Sequence, residues 1–268
     1  MNNKKNIIFI GGGNMAKSMI NGLLKNNFDE DNITVIDSCP QQLQNIKKEY
    51  PVNAANELIN LNKDDTLIFA IKPNDVNGVC NKLRLILEDQ LIISIVAGIT
   101  TSKISEWLNN HKNIVRTMPN LLAKIQCSVT ALYSSDQLPS NQKKIAHEIM
   151  ESIGKNIWLD DESKIDAVTA ISGSGPAYVF YFLESLIKSG ENIGLSKEES
   201  QFLARETLLG SSMMSEFTIN ELDKFIAKVS SKGGTTEQAI ISMKKNHFAE
   251  TISIAVNEAY KRAKKIGS

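Results

Sequence analysis

The sequence predicts an α/β protein in which an N-terminal Rossmann-like, doubly wound domain is followed by an all-α domain. In residues 6–159, short apolar runs rich in β-branched residues alternate with helical patterns, whereas long helical patterns dominate afterwards. Alternation of strand and helix is typical of a parallel sheet with right-handed crossovers. A glycine-rich turn directly after the first apolar run is the third observation. We therefore expect domains at residues 1–160 and 161–268.

The apolar runs are predicted to be strands, because most of them are apolar throughout, as strands covered on both faces of a sheet are. They lie at residues 6–10, 33–37, 66–71, 91–96, 113–118, 128–133 and 156–159. Helical periodicity separates several of them, at residues 15–24, 75–87 and 140–152.

The second domain carries a helical pattern that is apolar on nearly all sides. Residues 177–188 have aromatic or aliphatic side chains at most positions. A helix of this kind must be deeply buried, and a domain as small as residues 161–268 has limited capacity to bury it alone. We therefore expect a second subunit to cover this helix.

Charge, cysteine and histidine content exclude several classes of protein. The 30 basic and 30 acidic side chains give zero net charge, which argues against nucleic acid or an anionic membrane as a partner. Cys39, Cys80 and Cys127 lack the spacing of a disulfide framework or a zinc ribbon, which favours a reducing cytoplasm. The histidines lack ligand spacing, so no metal site is expected. The apolar stretch at residues 91–99 is far shorter than the roughly 20 residues of a membrane span.

The first glycine-rich turn has the spacing of a dinucleotide-binding fingerprint. Gly11-x-Gly13-x-x-Ala16 follows an apolar run and precedes a helical pattern, which is the context that the fingerprint requires. Gly11 allows the tight turn, Gly13 lets a pyrophosphate approach the backbone, and Ala16 lets the helix pack closely on the strand. The alternative is a glycine turn with a purely structural role.

Asp37 ends the second predicted strand, where an acidic side chain accepts hydrogen bonds from the adenine ribose and repels a 2′-phosphate. In that role it favours NADH over NADPH; the alternative is a helix N-cap before Pro40. Lys72, at the end of the third predicted strand, is either a cofactor-facing cation or a solvated lysine. Because ligands bind at the carboxyl ends of parallel strands, the expected cofactor site comprises Gly11, Gly13, Asn14, Met15, Asp37, Ser38, Asn56, Ala70, Lys72, Pro73, Ala97, Gly98 and Asn120.

Two further segments rich in glycine and hydroxyl residues lie in the second half of the chain. They are Ile171-Ser172-Gly173-Ser174-Gly175-Pro176-Ala177-Tyr178 and Ser230-Ser231-Lys232-Gly233-Gly234-Thr235-Thr236, and each leads into a helical pattern. Backbone N–H groups at such a helix start suit a carboxylate or a phosphate. The alternative is that these Ser and Thr residues serve only as helix N-caps.

Taken in order along the chain, these motifs resemble those of pyrroline-5-carboxylate reductase, over nearly the whole length. The two segments of the second half are the most specific. The resemblance is carried by Phe9-Ile10-Gly11-Gly12-Gly13-Asn14-Met15-Ala16, Ala70-Ile71-Lys72-Pro73, Val96-Ala97-Gly98-Ile99-Thr100, Arg116-Thr117-Met118-Pro119-Asn120, Ser172-Gly173-Ser174-Gly175-Pro176-Ala177-Tyr178 and Gly233-Gly234-Thr235-Thr236.

The resemblance implies reduction of the cyclic imine of 1-pyrroline-5-carboxylate to L-proline, the final step of proline biosynthesis, with NADPH or NADH. It also implies a homodimer joined through the helical domain, and leaves any higher oligomer open. The substrate would be bound by Ser231, Gly233, Gly234, Thr235 and Thr236, with catalytic roles for Thr236 and Ser231. Such a reduction requires neither a metal nor a covalent nucleophile, because positioning of the cofactor and the imine supplies much of the rate.

Three positions depart from the usual pattern of that family. Leu121-Leu122 stand where it usually has Thr-Pro, Lys232 stands where it usually has proline, and Asp37 replaces a small hydroxyl residue. The first two departures bear on the fit of the substrate. Asp37 bears on the cofactor, and we expect NADH to be used at least as well as NADPH.

Two other functions are compatible with a dinucleotide fold. A 3-hydroxyacid dehydrogenase of the same two-domain shape would need a catalytic lysine on the first long helix of the second domain, where Lys188 lies. A non-catalytic nucleotide-binding redox sensor would bind the cofactor without turnover.

Overall fold

The computed structural model describes residues 6–266, without the side chains of Thr218 and Asn220. The outer ends of the two predicted domains, residues 1–5 and 267–268, lie outside the described residues. The chain divides into two compact units. The sheet unit is described over residues 6–174 and 259–266, and the helical unit is Gly175–Glu258. The predicted domain boundary at residues 160 and 161 stays a prediction.

An eight-stranded sheet forms the centre of the sheet unit. Its strands are β1 (Ile7–Ile10), β2 (Ile33–Ile36), β3 (Asn53–Ala55), β4 (Thr66–Phe69), β5 (Leu91–Ser94), β6 (Ile114–Met118), β7 (Ser128–Ser134) and β8 (Gly154–Trp158). They lie in the order β3-β2-β1-β4-β5-β6-β7-β8, so the strand order reverses between β1 and β4. All neighbouring strands are parallel except β6 and β7. The predicted doubly wound α/β fold class is confirmed.

Apolar helix faces cover both sides of this sheet. On one side lie α1 (Asn14–Lys25), α2 (Pro40–Glu49) and α5 (Ser140–Glu151), whose buried side chains form one core with Phe9 and Ile93. On the other side lie α3 (Pro73–Leu83) and α4 (Thr101–Trp107), packed with Ile8 and Phe69. Burial between two helix layers explains why the strands are continuous apolar runs.

The strand prediction was wrong in two places. It missed β3, an edge strand of three residues whose Asn-Ala-Ala composition lacks the β-branched side chains that signal a strand. It also expected a parallel sheet throughout, whereas β6 and β7 are antiparallel. The link between them, residues 119–127, holds only a short 3₁₀ helix, Leu121–Ile125. A parallel crossover needs about a dozen residues or more, so this link is too short for one.

The helices of the second half follow β8. The sheet unit contains α6 (Lys164–Val168) and a π-helical turn, Thr169–Gly173. Then come α7 (Gly175–Asn192), α8 (Lys197–Thr218), α9 (Leu222–Val229), α10 (Thr235–Lys245) and α11 (Phe248–Ile266), of which the residues from Ala259 belong to the sheet unit. None of the helices in residues 6–266 has the length and apolar composition needed to cross a membrane.

The expected burial of the apolar helix is not reached within one chain. Phe180 and Tyr181 of α7 are 52% and 73% exposed. Among the described residues of the helical unit, the buried apolar side chains are those of Pro176 and Ala204. The helical unit therefore has almost no apolar core of its own.

Candidate functional site

A cavity of about 1160 Å³ lies at the carboxyl ends of β1, β2 and β4, where the strand order reverses. Seven of the residues predicted to bind the cofactor line this cavity: Gly11, Gly13, Asp37, Ser38, Asn56, Ala70 and Lys72. The sequence reasoning did not assign other lining residues, among them Cys39, Gln42, Glu57, Asp75, Gly78 and Lys82. Asp75, Gly78 and Lys82 follow the spacing of one face of α3, so helical periodicity could have found them.

The glycine loop at the mouth of this cavity has the shape that a pyrophosphate requires. Gly11 has φ +101°, and a Cβ there would lie 2.4 Å from the Ala70 carbonyl oxygen. The Gly11 N–H donates to the Ile36 carbonyl oxygen at 2.7 Å, which fixes the loop between β2 and β4. A Cβ on Gly13 would meet no atom within 4 Å, and no side chain caps α1 at this residue. Open space beside free helix N–H groups suits a phosphate group.

Asp37 fastens the glycine loop to the start of the next helix. Its Oδ2 accepts a hydrogen bond from the Gly12 N–H and its Oδ1 accepts one from the Cys39 N–H, each at 2.8 Å. The N-cap residue of α2 is Cys39, whose own side chain makes no capping hydrogen bond. Asp37 is therefore not the N-cap that the sequence offered as an alternative to the ribose role.

Several predicted cofactor residues lie next to the cavity lining rather than in it. Asn14 and Met15 begin α1, and the Met15 side chain packs against the core. Pro73 begins α3, and Lys72 before it is extended, as a following proline requires.

Ala97 and Gly98 follow β5 and are not among the residues that line the cavity; Ala97 is exposed and Gly98 packs against the end of α11. Gly98 has φ +78°, and a Cβ there would lie 2.7 Å from the Ile266 carbonyl oxygen. Only a glycine allows the backbone of this loop to pack so closely against the end of α11.

Asn120 is buried and holds two neighbouring turns in place. Its Oδ1 accepts from the Leu122 N–H at 3.1 Å, and its Nδ2 donates to the Ser172 carbonyl oxygen at 3.0 Å. Ser172 belongs to the π-helical turn, in which the Ser174 N–H donates to the Thr169 carbonyl oxygen at 2.8 Å. Helical structure therefore precedes α7 directly, and this first segment leads into α7 without an open turn.

An ion-pair network around a buried arginine, which the sequence reasoning missed, lies beside the loop after β5. The Arg116 guanidinium on β6 is 3.2 Å from Glu162 and 3.7 Å from Asp166. Glu162 also accepts from the Thr101 N–H at 2.8 Å and from the Thr101 hydroxyl at 2.7 Å, at the start of α4. An arginine inside a mostly apolar strand was the sequence signal for such a network, since a buried charge needs partners.

The second glycine and hydroxyl segment, residues 231–236, forms the turn between α9 and α10. Gly233 has φ +74°, and its N–H donates to Oε2 of Glu237 at 2.7 Å. The Gly234 N–H donates to the Ser231 carbonyl oxygen at 2.9 Å. Gly234 is the N-cap of α10 and no side chain caps this helix. The N–H groups of the first turn of α10, which begins with Thr235 and Thr236, are therefore free to donate to a ligand.

Two charged side chains of the helical unit, those of Glu237 and Lys188, bear on which reaction the chain can catalyse. Glu237 places a carboxylate at the start of α10, a feature that the sequence reasoning did not consider. Lys188, the lysine required by the dehydrogenase alternative, is exposed and paired with Glu184 at 2.9 Å.

Among residues 6–266, no group of three or more His, Cys, Asp or Glu side chains is arranged to hold a metal ion.

Comparison with known proteins places similarities along the whole chain. A family model described as pyrroline-5-carboxylate reductase dimerisation matches residues 162–266, and one described as NADP oxidoreductase, coenzyme F420-dependent, matches residues 6–98. The pyrroline-5-carboxylate reductase of Pseudomonas aeruginosa is 36% identical over 259 residues, which are 96% of this chain and 95% of that protein.

Solved structures are similar over the same length. A pyrroline-5-carboxylate reductase from Coxiella burnetii is 34% identical, with a TM-score of 0.90 over 98% of both chains. A Plasmodium falciparum pyrroline carboxylate reductase with NADP bound is 30% identical, with a TM-score of 0.87 over 99% of both chains.

Proposed function

Because the chain belongs to the pyrroline-5-carboxylate reductase family, we propose that it reduces 1-pyrroline-5-carboxylate to L-proline with NADH or NADPH. This is the final step of proline biosynthesis. The observation that carries the proposal is 36% identity over 96% of the chain, because that length includes both the glycine loop and residues 231–236. The reaction adds one hydride to the imine carbon and one proton to the nitrogen.

The sheet unit fits a nicotinamide dinucleotide. The cavity is large, the space beside Gly13 is open, and the first turn of α1 has no side-chain cap. When bound, the cofactor supplies the hydride for the imine carbon. The chain's own part is to hold the pyrophosphate on the N–H groups of Gly13 and of the first turn of α1, and to receive the adenine ribose near Asp37.

The helical unit offers donors for an anionic substrate. We assign the substrate carboxylate to residues 231–236, where the uncapped start of α10 presents N–H groups and the Ser231 and Thr235 hydroxyls are near in sequence. The Thr236 hydroxyl is assigned to hydrogen-bond the ring nitrogen as it gains its proton. Since the Gly233 and Gly234 N–H groups already have acceptors, we expect Thr235 and Thr236 to contribute more than the glycines.

The dimerisation match and the exposed apolar helices support self-association. We propose that the assembly is a homodimer joined through the helical unit, because two copies of this unit could cover each other's apolar faces. The cytoplasmic location predicted from cysteine spacing stays a prediction.

The test is an absorbance assay of NADH and NADPH oxidation on addition of 1-pyrroline-5-carboxylate, with a 3-oxo acid as the control substrate. We expect turnover with the imine alone. Turnover with the 3-oxo acid instead would support the dehydrogenase alternative. Cofactor binding without turnover of either substrate would support the redox sensor.

A further inference from the structure

We propose that Asp37 makes this chain selective for NADH over NADPH, through one carboxylate that holds the glycine loop and also receives the ribose hydroxyls. The inference deepens the proposed function, on which it rests only for the class of cofactor.

Strand pairing and a backbone hydrogen bond fix the position of Asp37 independently of its side chain. Ile36 ends β2 in register with Ile10 of β1, and the Asp37 N–H donates to the Ala55 carbonyl oxygen at 3.2 Å. The side chain then spans two segments, with Gly12 and Cys39 donating to separate carboxylate oxygens at 2.8 Å. Each oxygen is thus placed by its own backbone donor.

Each Asp37 oxygen still has room for another donor. An ionised carboxylate has about four lone-pair sites, and the two backbone N–H groups occupy two of them. Asp37 lines the cavity and is only partly buried, so the remaining sites can receive a 2′,3′-diol. A 2′-phosphate has no donor to offer when ionised and carries the same sign of charge.

The carboxylate cannot turn away from a phosphate without a loss elsewhere. Rotation would break the hydrogen bond from Gly12, whose N–H belongs to the loop that binds the pyrophosphate. It would also break the hydrogen bond that the other carboxylate oxygen accepts from the Cys39 N–H. The carboxylate that repels the 2′-phosphate is therefore held in place by the glycine loop, unlike a mobile charge on the surface.

The remaining charges of the cavity do not offset this repulsion. Besides Asp37, the charged lining residues are Glu57, Asp75, Lys72 and Lys82, so the two remaining carboxylates balance the two cations and leave no excess positive charge. Lys72 and Lys82 are both exposed. Arginine, the usual partner of a 2′-phosphate, is absent from the described residues that line the cavity.

The experiment measures the dissociation constants of NADH and NADPH by isothermal titration calorimetry, without substrate. For the wild type, we expect NADH to bind at least about tenfold more tightly, because two like charges meet at close range in a partly buried site. Asp37→Asn and Asp37→Ser should each lower this preference by at least about tenfold, mainly through tighter binding of NADPH.

Two matched substitutions separate the role of Asp37 from general charge. Asp75→Asn removes a carboxylate from the same cavity that holds no loop N–H, and Asp64→Asn removes an exposed one outside it. Both should change the preference by less than about threefold, as exposed charges do. An Asp75→Asn effect as large as that at Asp37 would overturn the proposal.

Wild-type binding decides the proposal even where a variant fails to fold. NADPH bound as tightly as NADH, or more tightly, would overturn the selectivity and leave the reductase function standing. Binding of neither cofactor would overturn the cofactor site itself. A strong NADH preference that Asp37→Asn leaves unchanged, in a variant with wild-type circular dichroism, would contradict the role of this carboxylate.

Discussion

Two glycines of one loop have opposite physical reasons to be glycine. At Gly11 the backbone conformation, φ +101°, and the Ala70 carbonyl oxygen, 2.4 Å from the position of a Cβ, both exclude a side chain. At Gly13 the conformation is extended and the space around a Cβ is empty. Folding therefore requires the first glycine, while the open space at the second is where we propose that the pyrophosphate binds.

Alanine substitutions should separate these two roles. We expect Gly11→Ala to lower the free energy of unfolding by about 1–3 kcal/mol, through backbone strain and the clash with Ala70. Gly13→Ala should change it by less than about 0.5 kcal/mol and weaken NADH binding by at least about tenfold, because the methyl group fills space meant for the pyrophosphate. Urea unfolding and calorimetry measure the two effects. A destabilised Gly13→Ala protein, or one with unchanged affinity, would contradict this division.

The spacing of the glycines predicted the position of this loop, but it did not predict which side chains accept hydrogen bonds from the glycine N–H groups. Glycine positions depend on local backbone geometry, which a fingerprint reports directly. The bond from Gly12 to Asp37 and that from Gly233 to Glu237 depend on side-chain direction after folding. Asn120 illustrates the same limit, since both ends of its amide are engaged by neighbouring turns that the sequence does not place beside it.

At the scale of elements, one buried arginine connects three pieces of the sheet unit. Arg116 on β6 pairs with Asp166 on α6 and with Glu162 before it, and Glu162 holds Thr101 at the start of α4. The loop that follows β5 leads directly into α4. The network therefore fixes where this loop ends.

Loss of the central carboxylate should destabilise the protein. We expect Glu162→Gln to lower the free energy of unfolding by about 2–3 kcal/mol, less than a fully buried pair loses, because Glu162 is 18% exposed and Asp166 remains near Arg116. Glu106→Gln, which removes an exposed pair with Lys103, should cost less than about 0.5 kcal/mol. Equal effects of the two substitutions in urea unfolding would show that the network adds no stability.

Strand and helix positions followed from the sequence wherever a core layer determined them. Continuous apolar runs marked the central strands, because helices cover both faces of the sheet. The edge strand β3 gave no such signal, and the antiparallel β6–β7 pair could have been predicted only from the length of the link between them.

At the scale of the whole molecule, the two units differ in how much apolar core they contain. The sheet unit has two buried layers, whereas the helical unit leaves large side chains on α7 and α8 exposed, among them Phe180, Tyr181, Phe202 and Met213. Exposed apolar surface on this scale marks an interaction site. The apolar helix predicted from the sequence is present as α7, and we propose that a second copy of the chain covers it.

Self-association through the helical unit should be sensitive to charge on α7. We expect the wild type to sediment as a dimer or larger at micromolar concentration, and Phe180→Glu to weaken that association by at least about tenfold. Leu85→Glu is the matched control, because Leu85 is 80% exposed in the sheet unit. A wild-type monomer, or equal weakening by both variants in analytical ultracentrifugation, would contradict the assigned interface.

Transfer of a hydride from the cofactor to the imine carbon of 1-pyrroline-5-carboxylate can be followed with an isotope label. The most direct measurement uses NADH that carries deuterium at both positions of nicotinamide C4, followed by mass spectrometry and NMR of the product. We expect L-proline with one deuterium, on the ring carbon that had formed the C=N bond. Unlabelled proline, or no proline with either labelled NADH or labelled NADPH, would contradict it.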